Sequence, residues 1–139
     1  MSGLECTLTA MQAHLTAVAW PRYEVRLIDT VRRACCASRS WTAAQLLSPS
    51  TAGFLRAGNR QGCEVYFRPH AGPQSAGYLL LDFDAGPCPL AALRAAHHTP
   101  CMVVQTSCGH QQAWLDVVAA PGRCATRSVR FHRGRQSES

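Results

Sequence analysis

Residues 78–86 read "YLLLDFDAG": an apolar run that ends in two carboxylates one residue apart, closed by the Gly86-Pro87 turn. On a strand, positions i and i+2 project to one face with Cα atoms roughly 6.5 Å apart. Asp82 and Asp84 therefore point together while Phe83 turns to the other face. Two carboxylates held this close repel unless something positive lies between them. A hard divalent cation such as Mg²⁺ or Mn²⁺ fits, because it takes oxygen ligands and keeps waters that phosphate oxygens can replace. The same residues also suit a strand that simply ends in solvent, its aspartates capping the turn. A motif as short as D-x-D leaves both readings open.

Outward from this strand, the chain alternates short helices and strands. Upstream, residues 63–68, "CEVYFR", are rich in β-formers. With the Pro-, Gly- and Ser-rich connector "PHAGPQSAG", they are expected to form an antiparallel hairpin with residues 78–84. Arg68 would then end the strand beside the aspartates, within reach of a triphosphate. Leu4, Leu8, Met11, Leu15 and Val18 recur at helical spacing and predict an amphipathic helix ending before Pro21. "YEVRLI", residues 23–28, alternates as a strand, and "RRACCASRSW" is its candidate partner. Residues 42–47 suit a helical turn. Ser48-Pro49 starts a second helix, with Gly58-Asn59 as its expected stop.

Downstream, residues 89–96 predict a short helix with Leu90 and Leu93 inward. "CMVVQT" reads as a buried strand, and a tight turn, "SCGH", leads into "QQAWLDVV" as the final strand. The expected fold class is α+β, a mainly antiparallel sheet with short helices packed on it. Residues 1–120 are expected to make one domain, and residues 121–139, arginine-rich and without periodicity, a disordered tail.

Composition narrows the function. The 139 residues are 47% hydrophobic, which is globular, and carry a formal charge of +6. All fourteen basic residues are arginine. Guanidinium forks suit phosphate, which favours a nucleotide or nucleic-acid partner over an acidic protein. No apolar window is long enough for a membrane span. The N-terminal apolar run lacks a basic leader and is broken by Gln12 and His14, so no secretion signal is read. The eight cysteines are then expected as reduced thiols in cytoplasm.

The stretch "TSCGHQQAW", residues 106–114, is the second constellation. Thr106, Ser107, the Gly109 backbone and His110 crowd a tight turn whose hydroxyls and N–H groups can cradle an anion. Gln112 and Trp114 share a face of the strand that follows. An ordinary hairpin turn with a capping serine and a packed tryptophan accounts for the same residues. His97, His98, Cys101, Cys108 and His110 lie close in sequence but include no CxxC pair, which disfavours zinc. Cys35 and Cys36 are neighbours and cannot readily bridge each other.

Together, "GCEVYFRP", "GYLLLDFDAG" and "VVQTSCGHQQAWLDV" resemble, in this order and spacing, the RepB-like DNA primase domain of plasmid replication proteins, within the archaeo-eukaryotic primase superfamily. "YEVRLID" and "WTAAQLL" fit its upstream part, so the resemblance covers roughly residues 20–118. It implies a primase-like, RRM-related core and a nucleotidyltransferase that makes primers on single-stranded DNA with Mg²⁺ or Mn²⁺. It also implies that Asp82 and Asp84 hold the metal and do the catalytic work. Ser107, His110 and Gln112 would position the nucleotide phosphates, with Arg68 assisting. The implied partners are a single-stranded DNA template, nucleoside triphosphates and a replication helicase. Two departures stand out. Cys108 replaces the proline of the family's Thr-Ser-Pro-Gly turn. After Asp116 the only carboxylate is Glu138, where the superfamily has a third metal-binding carboxylate on a later strand. A catalytically impaired single-stranded DNA-binding fragment is the alternative.

Overall fold

Strand β1 (Arg22–Asp29) buries every second side chain, Tyr23, Val25 and Leu27, and turns Arg22 and Arg26 to solvent. Each buried aliphatic of this kind stabilises by about 1.5–3 kcal/mol over its exposed state. In the computed structural model, which describes residues 2–70, 77–84, 86–107, 109–117 and 127–130, β1 is the centre of a three-stranded sheet. Antiparallel neighbours flank it on both sides: β2 (Ala34–Thr42) and β3 (Cys63–Pro69). The chain falls into two compact units, Met1–Leu15 with Ala19–Ala76 and Thr16–Val18 with Gly77–Ser139.

In the first unit, helix α1 (Gly3–Ala17) supplies Met11 and Leu15 to a core with Tyr23, Val25, Leu27, Leu46, Leu55 and Cys63. His14, one helical turn after Met11, is also buried, only 5% exposed. Its ring lies 4.2 Å, centroid to centroid, from Phe67 of β3. Burial pushes its imidazole pKa down to about 3.

Two short helices connect β2 to β3. In α2 (Ala43–Leu46), the Thr42 side chain accepts from the Gln45 N–H and the Gln45 side chain accepts from the Thr42 N–H, a reciprocal capping box. In α3 (Pro49–Arg60), Ser48 accepts from the Thr51 N–H and Pro49 opens the first turn. The helix does not stop at Gly58-Asn59 as expected. Gly58 is buried inside it, where a Cβ would meet Leu27 Cδ1 at 2.9 Å. Its glycine serves close packing, and the true stop is Gln61 followed by Gly62 at φ +93°. Replacing Ser48 with alanine strands a helix-terminal donor and is expected to cost about 1 kcal/mol, read as a lower urea midpoint at unchanged m.

The second unit holds β4 (Tyr78–Phe83), α4 (Leu90–Ala95), β5 (Met102–Ser107), β6 (His110–Asp116) and β7 (Arg127–Arg130), with strand order β4-β6-β5-β7. The α+β class with mainly antiparallel pairing is as read, but the predicted hairpin is not. Residues 63–69 pair with β1, whereas β4 pairs with β6. The reason lies in the burial patterns. β3 presents Val65 and Phe67 to the first core and Tyr66 and Arg68 outward, matching the alternation of β1. β4 has a run of leucines with no such alternation and joins the other sheet. The tail expectation is corrected over four residues: Arg127–Arg130 runs parallel to β5 and pairs its outer edge. The rest of residues 121–139 lies outside the described residues. Among the described residues, no helix is long and apolar enough to cross a membrane.

Candidate nucleotide and metal site

The register of β4 against β6 assembles the site. Tyr78 pairs with Asp116, Leu80 with Trp114 and Asp82 with Gln112, so these six side chains share one face of the sheet. Phe83 pairs with Gln111 on the opposite face, and Asp84 follows one residue past the strand. Continuing the ladder by one step sets Asp84 beside His110. Its Oδ1 is 3.8 Å from His110 Nδ1, with the aspartate side chain 81% and the histidine 47% exposed. Asp82, Asp84, His110 and the half-buried Gln112, drawn from two separate stretches of sequence, thus form one patch at the end of the β4–β6 pair.

The turn beside this patch is tight. Ser107 pairs with His110 across it, after a register irregularity beyond Gln105. Gly109 adopts φ +77°, a left-handed conformation that glycine takes without the Cβ penalty. Cys108, where the family proline is expected, lies outside the described residues. The Thr106 hydroxyl donates to the His110 carbonyl at 3.5 Å, a long bond that spans the turn.

Arg68 belongs to the first unit, not to a strand paired with the aspartates. Its guanidinium donates twice to Glu24 Oε2, at 3.1 and 2.9 Å. The same contact holds the Glu24 carboxyl below the usual carboxylate range, with Arg26 adding to it. The expectation that Arg68 lies on the strand next to Asp82 is therefore corrected, because β1 occupies that edge of β3.

Gln111 escaped the sequence reading. On the face opposite Gln112, its Oε1 accepts from the Cys88 N–H at 2.7 Å and ties the segment that follows Asp84 back to β6. Parity along the strand was the available signal, since adjacent glutamines must face opposite ways. Cys101 is buried and its thiol donates to the Trp114 carbonyl at 3.2 Å.

The donor chemistry of the patch fits a hard cation: two exposed carboxylates, with room for water and phosphate oxygens. Among the described residues, no three His, Cys, Asp or Glu side chains converge closely enough to hold a metal by themselves. Asp116 shares the face of Asp82 but sits four residues beyond Gln112, about 13 Å along the strand. That distance is too great for a shared ion.

No protein-family model matches the chain. Over 116 residues, 84% of its length, it is 33% identical to Mobilization protein A of Escherichia coli, of which it spans only 16%. Among solved structures, it is similar to the catalytic domain of primase RepB' in complex with initiator DNA. The TM-score is 0.69 and the identity 29%, covering 81% of this chain and 59% of that one. A second structure, primase RepB', matches with the same TM-score, identity and share of this chain, and 38% of that chain is covered.

Proposed function

We propose that this chain, similar in sequence and fold to the catalytic domain of primase RepB' and in sequence to a mobilization protein, joins nucleotides on a single-stranded DNA template, as a nucleotidyltransferase of plasmid replication or mobilization. The observation that carries this reading is the register that sets Asp82 opposite Gln112 and Asp84 beside His110 on one open patch.

Asp82 and Asp84 would hold Mg²⁺ or Mn²⁺. When bound, the ion would neutralise triphosphate charge and align the attacking hydroxyl. Gln112 offers amide N–H donors to phosphate oxygens, and His110, held near Asp84, offers a ring N–H. Ser107 contributes from the opposite end of the turn. The cytoplasm is the proposed compartment, and a replication helicase the proposed larger partner.

Incubating the chain with a single-stranded oligonucleotide, nucleoside triphosphates and Mn²⁺ is expected to give short primers. Alanine at His110 or Gln112 removes one charge-assisted phosphate contact and is expected to weaken nucleotide binding about 10-fold. A second reading is favoured by the position of Asp116, too far along β6 to complete the metal shell. The chain would then bind single-stranded DNA without chemistry. Salt-sensitive DNA binding with no primer formed would select that reading.

A further inference from the structure

Cys36 and Cys63 lie on the two edge strands of the first sheet, with β1 between them. Strands two places apart are separated by about 9.5 Å, which ordinarily keeps their side chains from touching. Here the two sulfurs are 3.4 Å apart. A bulge makes this possible. Leu27 pairs with Ala37 and Ile28 with Cys35, so Cys36 is the extra residue, without a partner on β1 and released from strict alternation. Cys63 pairs with Asp29 at the end of β1 and belongs to the buried core. One sulfur of the pair is exposed and the other buried. Neither residue takes part in the proposed chemistry of the aspartate patch.

We propose that Cys36 and Cys63 are an oxidisable dithiol, which closes to an intramolecular disulfide between β2 and β3 when the protein meets a peroxide. Cys36, the accessible sulfur, attacks as its thiolate. An S–O bond forms as the peroxide O–O bond breaks, the first water leaves, and Cys36 becomes a sulfenic acid. The Cys63 sulfur then attacks the Cys36 sulfur. The S–S bond forms, the S–O bond breaks, and the second oxygen leaves as water. Two thiols give up two hydrogens and two electrons, and one hydrogen peroxide becomes two waters. The closure needed is small, from contact at 3.4 Å to a bond of about 2.05 Å. The bridge encloses α2 and α3 in a covalent loop. It is expected to raise the melting temperature by about 5 °C or more.

The test uses the full chain, reduced and then treated with a few equivalents of hydrogen peroxide. Remaining thiols are blocked before digestion with trypsin without reductant. The expected result is an intact mass lower by about 2 Da, a linked pair of peptides, residues 34–39 with 61–94 because trypsin does not cut before Pro69, and reversal by dithiothreitol. The first peptide also holds Cys35 and the second Cys88, so fragmentation must assign the bond to Cys36 and Cys63. The link should vanish in Cys36→Ser and persist in Cys35→Ser. A link that survives Cys36→Ser overturns the proposal. So does Cys63 recovered alkylated and unlinked after Cys36 has been oxidised past the sulfenic acid, which would leave the two thiols as packing alone.

Discussion

Asp82→Ala should lose Mn²⁺-dependent binding of a nucleoside triphosphate by about 100-fold or more, and Asp84→Ala should match it. A bound cation contributes several kcal/mol of charge stabilisation, and each 1.4 kcal/mol is about tenfold in affinity. Removing one of two carboxylates leaves a single ligand that water must supplement. Neither substitution should touch the fold. Asp82 is exposed at the last full pair of the sheet face, and Asp84 is 81% exposed just beyond the strand. Calorimetric titration with and without Mn²⁺, alongside circular dichroism, separates loss of binding from loss of structure. Equal, metal-dependent affinity in the native chain and both variants would sink the metal assignment and leave the aspartates as a solvated turn.

Acid is expected to weaken the first unit through His14. Its folded pKa lies near 3, against an ordinary 6.5, because the imidazole is desolvated in the core. Between those values the unfolded chain binds a proton that the folded chain refuses. The contribution is therefore complete above pH 6.5 and is lost as pH falls toward 3. Each pH unit in that window costs about 1.4 kcal/mol, so going from pH 6.5 to 4.5 should remove about 2–3 kcal/mol. Below that range Glu24 and Asp29 join in. Their folded pKa values are lowered, by Arg68 hydrogen bonding and by the Arg32 N–H respectively, and their stabilisation fades as they protonate. The diagnostic interval is thus pH 4.5–6.5. Urea unfolding across it should show a steep slope in the native chain and a shallower one in His14→Gln. Parallel curves would mean that another group sets the acid limit.

Much of the candidate site was legible because it is local. The i, i+2 spacing of Asp82 and Asp84, and the glycine-centred turn between two apolar stretches, both follow from the period of two along a strand. That His110 and Gln112 belong beside the aspartates came from family resemblance, and the β4–β6 register sets them on that face. The surroundings of Arg68 are not legible locally, because strands consecutive in sequence usually pair whereas β3 pairs with β1 and β4 with β6. Gln111 went unnoticed because its role is a hydrogen bond to a backbone 23 positions away.

Local pattern in the amino-acid order was enough to define most of the elements: the α1 stripe, the alternation of β1, the helical turn of α2, the capped start of α3, and the carboxylate pair that ends the apolar run of β4. These depend on side-chain spacing and on caps within a few residues, so neighbours in sequence carry them. Tertiary structure alone decided which edge each strand occupies, that Arg127–Arg130 covers the free edge of β5, that His14 is buried against Phe67, and that a bulge brings Cys36 to Cys63. Each of those depends on partners distant in the chain. Unpaired backbone groups at an edge and unfilled space in a core are satisfied by whichever segment the fold delivers there, and no local period encodes which one that is.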